Sequence, residues 1–166
     1  LDPVFFYGTR SMIWIPLYLL LLFVVIRDYR WNALLIIFFA ALMIIVSDQL
    51  SNLVKEWIAR PRPTHETGLQ GVHTVYGYTG GTYGFYSAHA SNTMAIAIFL
   101  IFLLKNKNKA ISVLLFLWAI FMGYTRIYLG VHYPGDVISG FIAGSLIGYV
   151  TYRLFSYSVK LRRSVT

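Results

Sequence analysis

Five stretches of this chain are apolar over most of the roughly 20 residues that a helix needs to cross the hydrocarbon core of a bilayer. They run from about Met12 to Ile26, Ala33 to Val54, Ser87 to Leu104, Ala110 to Leu129 and Asp136 to Phe155, and the first could start earlier because Pro3 to Tyr7 is also apolar. The expectation is an all-α polytopic integral membrane bundle, a single membrane-embedded domain over residues 1–166 with about five transmembrane helices visible. Composition excludes two alternatives. Hydrophobic residues make up 58% of the chain and charged ones 12%, against roughly 25% charged in a soluble domain, too few to cover a soluble core. The same figures exclude disorder, which needs low hydrophobicity and high charge. With no cysteine, neither a disulfide framework nor a thiolate metal site exists. The first run lacks a basic stretch before it, so it is not a cleavable signal. Leu1 is not an initiator methionine, which leaves room for a further N-terminal segment.

The net charge of +8 would suggest nucleic acid in a soluble protein. In an apolar chain it points to the cytoplasmic face of a membrane or to an anion site, and no nucleic-acid partner is expected. If the runs alternate in direction, Arg27, Arg30, Lys105, Lys107, Lys109, Arg153, Lys160, Arg162 and Arg163 fall on one side, and Arg10, Lys55, Arg60, Arg62 and Arg126 on the other. Nine against five assigns the first group to the cytoplasm. The five outward cations then require another explanation. Gly140, Gly144 and Gly148 recur every four residues on the fifth run, a spacing that lets a neighbouring helix approach closely. The loop from Thr64 to Phe85, rich in Gly and Tyr, is longer than a mere connection, and its aromatics suit a membrane interface.

Three polar clusters stand at helix ends on the outward side. Lys55 closes the second run ahead of Arg60-Pro61-Arg62-Pro63; Tyr86-Ser87-Ala88-His89 opens the third; Thr125-Arg126 ends the fourth, with His132 and Asp136 at the mouth of the fifth. Singly, each has an ordinary explanation: cations that snorkel to headgroups, a serine that caps a helix, a histidine and a carboxylate that order a helix start. Together, two histidines and at least three cations at one membrane depth are costly to gather unless they bind an anion. Phosphate suits them, since Arg matches its oxygens with a bidentate fork, Lys adds a point charge and a helix N-terminus adds N–H donors. His132, with Asp136 on one ring nitrogen, leaves the other free as a nucleophile, and His89 can protonate a leaving oxygen. Asp48, Glu56, Glu66 and Asp136 are too few acids for a two-metal site, so no metal and no cofactor are expected.

Lys55, six residues, then Arg62-Pro63; Ser87-Ala88-His89; and Arg126, five residues, His132, three residues, Asp136 resemble the three-part signature of the type 2 phosphatidic acid phosphatase superfamily, membrane relatives of vanadium haloperoxidases. The resemblance implies that Lys55, Arg62 and Arg126 bind phosphate with help from Ser87 and the Ala88 amide. It also implies that His89 is the general acid, His132 the nucleophile that becomes a phosphohistidine, and Asp136 its orienting partner. Two positions depart from the pattern: the usual Pro-Ser-Gly-His reads Tyr86-Ser87-Ala88-His89, and Ser-Arg reads Thr125-Arg126. Neither removes a reacting group.

The expected partners are a lipid phosphate and the membrane lipids, with no oligomeric state implied. Undecaprenyl diphosphate, phosphatidylglycerophosphate, phosphatidic acid and lipid A present the same terminal phosphate, and the signature does not separate them. A non-catalytic or transport protein that binds an anion is the alternative, supported by Asp48 inside the second run. Arg60, His65, His73 and Asp48 have no assigned role. Short loops and the absence of a glycosylation sequon in the long loop lean towards a bacterial inner membrane with the site facing the periplasm.

Overall fold

The computed structural model describes residues 1–104 and 109–165, with side chains through Lys160; Lys105, Lys107 and the side chains of Arg162 and Arg163 lie outside the described residues. Six α-helices follow in order among them: α1 (Asp2–Gly8), α2 (Ile15–Tyr29), α3 (Asn32–Ile58), α4 (Ala88–Leu104), α5 (Lys109–Tyr128) and α6 (Pro134–Val165). A 3-10 turn over Ser11–Trp14 leads into α2, another covers Pro63–His65, and no strand forms among the described residues. Four segments, Ser11–Tyr29, Asn32–Ile58, Lys109–Tyr128 and Pro134–Lys160, are long and apolar enough to cross a membrane. With 17 residues, α4 is shorter and equally apolar. The all-α membrane bundle is therefore as expected.

Local chemistry sets the helix ends. Proline at the start of α2 and of α6 lacks only an N–H that would have no partner there. Ser87 caps α4, its hydroxyl accepting from the Ala90 N–H at 3.4 Å. α3 stops at Ala59, which is left-handed with φ 50°, because the prolines after it cannot continue a helix. After α5 the chain turns through Gly130 at φ 69°, a region where a side chain is strained. Two boundaries differ from expectation. Pro3 to Tyr7 does not extend the first run but forms the separate α1, broken off at Thr9 and Arg10, with Phe5 packed on Tyr128 at 4.0 Å between centroids. α6 continues past Phe155 to Val165, since charge ends an apolar run without ending a helix and no Gly or Pro follows Gly148.

The core is inverted relative to a soluble bundle. α4 lies at its centre, buried on several faces from Ala90 to Leu104. α6 packs directly on it. Cβ atoms added at Gly140 and Gly148 would stand 2.6 Å from the Ser87 carbonyl and 2.5 Å from the Ala95 carbonyl, and one at Gly144 would collide with the Ser91 carbonyl. The expected close approach through small residues thus joins α6 to α4. The outer helices point Leu19, Phe23, Leu34, Phe38, Leu114, Leu117, Ile142 and Leu146 outward. Such a surface is stable only against hydrocarbon, where each helix satisfies its own backbone.

Candidate functional site

The antiparallel path of α3 to α6 brings the end of α3, the start of α4, the end of α5 and the start of α6 to one end of the bundle. The α4–α6 contact sets their register there, and the Ser87 N–H donates to the Asp136 carbonyl at 3.0 Å. The long loop closes over this end and is tied to Arg62, whose Nε donates to the Tyr83 carbonyl at 3.1 Å and whose Nη1 donates to the Val131 carbonyl at 3.4 Å. Two loop glycines make room for the arginine. A Cβ at Gly80 would lie 2.6 Å from Arg62 Nη1, and one at Gly84 would lie 3.2 Å from both Arg62 Cγ and Asp136 Oδ2.

His132 lies in the turn between α5 and α6, 4% exposed, with Nδ1 3.5 Å from Asp136 Oδ2. That approach is long for a hydrogen bond, but it turns Nδ1 towards the carboxylate and leaves Nε2 on the other edge of the ring. Burial, followed by the charges of Arg62, Arg126 and Lys55, pushes the imidazole far below its ordinary range, so it is neutral at physiological pH. The three expected cations therefore converge on the expected nucleophile. Burial and then the charge of Arg126 also lower the Arg62 pKa, although an arginine stays protonated. Lys55 donates to Ser51 Oγ at 3.1 Å.

Asp136 is fully buried and makes more contacts than the sequence indicates. Its Oδ2 accepts the Tyr133 N–H at 2.9 Å, and its Oδ1 pairs with the Arg60 guanidinium. Arg60 lies between the Phe85 and Tyr133 rings, at 4.9 and 5.1 Å from their centroids. The cation beside the signature thus pairs with the carboxylate behind the expected nucleophile.

On the opposite side, His89 Nε2 meets the Thr9 carbonyl at 3.0 Å. A carbonyl only accepts, so Nε2 carries the proton. The Thr9 hydroxyl accepts from Arg126 Nη1 at 2.9 Å, and Tyr78 Oη accepts from Nη2 at 3.2 Å. Arg126 is 5% exposed, and its Nε has no hydrogen-bond partner among the described residues. Burial opposes ionisation of Tyr78, but the charge and hydrogen bond of Arg126 outweigh it and lower the phenol's pKa.

Thr9, Tyr78, Arg60 and Gly84 were not singled out as site residues by the signature. Thr9-Arg10 carried a faint signal, as polar residues breaking an otherwise apolar beginning. Tyr78 is one of the loop aromatics that suit a membrane interface, yet its hydroxyl meets Arg126. Ser87 is fully buried, with its hydroxyl capping α4 and its N–H on Asp136, so both groups have protein partners. Ala88, at the first position of α4, is partly exposed. His65 is exposed beside Thr64, and His73 lies 3.4 Å from Asp2 rather than among the cations. Asp48 accepts from Asn92 Nδ2 at 2.9 Å, which gives it a partner on α4.

A cleft of about 410 Å³ opens beside the cluster, with His89 and Arg126 in its wall and residues of the α1–α2 connection opposite.

The sequence profile of the PAP2 superfamily matches residues 31–160. The lipid A 4'-phosphatase of Bacteroides thetaiotaomicron is 37% identical over 148 residues, covering 87% of this chain and 65% of that protein. The enzyme of the same name from Porphyromonas gingivalis is 32% identical over 163 residues, 95% of this chain and 67% of that protein. This chain thus spans about two thirds of the length of these relatives. A transmembrane PAP2-type phosphatidylglycerolphosphate phosphatase from Bacillus subtilis superposes with a TM-score of 0.67 at 26% identity, over 94% of this chain and 77% of that one.

Proposed function

The chain belongs to the PAP2 superfamily, and from that premise we propose that it is an integral-membrane lipid phosphatase that removes a terminal phosphate through a phosphohistidine on His132. One observation carries the reading: a buried, neutral imidazole faced by the charges of Lys55, Arg62 and Arg126, with a carboxylate on its Nδ1 side.

Lys55, Arg62 and Arg126 bind the phosphate dianion, and the unpartnered Nε of Arg126 is one of the donors awaiting it. Nε2 of His132 attacks phosphorus. As the P–N bond forms, the bond to the leaving oxygen breaks, and that oxygen takes a proton from the imidazolium form of His89, which becomes the neutral imidazole. Asp136, held by Arg60, stabilises the positive charge that develops on His132. In the second step water attacks the phosphohistidine, its proton passes to His89, the P–N bond breaks and inorganic phosphate departs. The cations supply the positive charge that phosphoryl transfer requires, so the mechanism needs no metal.

The lipid class follows from a catalytic cluster at the end of an apolar bundle, and the names of the two long-matching relatives make lipid A the first substrate to test. The nine-to-five distribution of basic residues supports a bacterial inner membrane with the site facing the periplasm. Residues 1–166 act together as one membrane-embedded domain. Asp48, the best support for the alternative of a non-catalytic anion-binding or transport protein, accepts a hydrogen bond from α4, as a residue joining two helices would.

The test is phosphate release by purified protein in detergent, against lipid A, phosphatidylglycerophosphate, undecaprenyl diphosphate and phosphatidic acid. At least one should be hydrolysed in the presence of chelator, and vanadate should inhibit. His132→Ala should extract normally and release no phosphate. Full activity in that variant would sink the mechanism, and no hydrolysis of any of the four lipids by the wild type would sink the function.

A further inference from the structure

We propose that the cleft beside His89 is the leaving-group subsite, and that Arg10 within it reads a second anionic group on the substrate. This rests on the phosphatase reading above.

Attacking and leaving atoms lie roughly in line across phosphorus, so with His132 attacking, the leaving oxygen departs towards His89. The cleft is lined by His89 and Arg126 and not by His132, which puts it on the leaving side. Its volume of about 410 Å³ is within the usual ~300–1,000 Å³ of small-molecule sites, and more than a phosphate ion needs. The body of the leaving group fills the remainder.

The lining shows what that group is. Two arginines, two hydroxyl residues (Thr9 and Ser11) and the Tyr78 phenol face the cleft, and its lining contains no carboxylate. A wholly neutral leaving group would leave this charge unanswered. Arg126 has a place in phosphate binding; Arg10 has none. Its guanidinium lies over the Phe6 ring at 4.6 Å and the Tyr7 ring at 5.5 Å, and no carboxylate pairs with it among the described residues. Stacking fixes the plane of a guanidinium and leaves its N–H edges free, the arrangement suited to a phosphate or carboxylate. By contrast, the groove between α2, α3 and α4, lined by Leu21, Ile36, Met43 and Phe99, is apolar and suits an acyl chain.

Substrates divide accordingly. Phosphatidic acid leaves neutral diacylglycerol. Phosphatidylglycerophosphate leaves a phosphodiester, a polyprenyl diphosphate leaves a monophosphate, and bisphosphorylated lipid A leaves a phosphate on its other sugar. The subsite selects lipids whose product retains an anion.

The test compares wild type with Arg10→Gln on short-chain phosphatidic acid and on a two-anion lipid, phosphatidylglycerophosphate or bisphosphorylated lipid A, in the same detergent. The ratio of kcat/KM for the two-anion lipid to that for phosphatidic acid should fall about tenfold, through KM more than kcat, as expected for one charged hydrogen bond. Arg10→Lys should recover part of the ratio, and salt should shrink the wild-type preference. An unchanged ratio overturns the subsite assignment while leaving the phosphatase reading intact. A wild type that releases phosphate from neither lipid, nor from the others tested above, overturns both.

Discussion

Arg27 and Arg126 each stand near the end of a membrane helix, at opposite ends of the bundle. The Arg27 side chain is 61% exposed and pairs with its neighbour Asp28 at 2.8 Å. Arg126 is 5% exposed and is held by a hydroxyl from a segment 117 positions away and by a phenol from the long loop. A pair formed by a solvent-exposed arginine, such as Arg27–Asp28, contributes little, because water screens its attraction. A buried cation without a carboxylate partner bears a desolvation cost that its own contacts do not offset. The same residue type therefore marks an interface at one end and, on the proposed function, the phosphate site at the other.

Four measurements break or sharpen that contrast. The largest effect is expected from Arg126→Gln, which should lower kcat by about 10²–10³, as loss of one preorganised donor to a transition-state oxygen does. A loss of similar size in Arg27→Gln would erase the distinction. Next comes Gly144→Ala, which drives a methyl into the Ser91 carbonyl and should cost about 1–3 kcal/mol in thermal or denaturant unfolding. Activity should fall with it, because the α4–α6 contact sets the position of His89 relative to His132.

A smaller effect concerns pH. His132 stays neutral in the folded chain at pH values where an unfolded imidazole, near 6.5, takes up a proton. Below that value the unfolded state binds more protons, so stability is complete above pH 6.5 and declines as the pH falls. Arg62→Gln removes the largest of the charges that depress this pKa, after burial. The acid limb of its kcat/KM profile should move to higher pH, and its stability should fall less steeply in acid. An unmoved limb would show that Arg62 does not act on His132. Smallest of all is Arg27→Gln itself, which should leave both activity and the unfolding midpoint nearly unchanged, as surface substitutions usually do.

Much of the fold was legible because its determinants are local. Apolar run length predicted α2 to α5 closely, and Gly140, Gly144 and Gly148 indicated a tight helix pair. At the end of α6 the departure from expectation is local too, because charge closes the apolar run without ending the helix. The site was legible only as a set of residues. The signature named Lys55, Arg62, His89, Arg126, His132 and Asp136, whereas Thr9, Tyr78 and Arg60 belong to the site through contacts that no spacing encodes.

By itself the sequence determined that this chain is a membrane bundle with cations and histidines at helix ends, since length, hydropathy and short-range spacing act within single segments. Which groups those residues face was settled only by tertiary structure. Arg60 reaches Asp136 because the long loop returns over α6, and Thr9 reaches both His89 and Arg126 because α1 packs against the end of α5. Contacts between segments 76 and 117 positions apart depend on how helices pack, a property of the whole chain and of no one stretch of it.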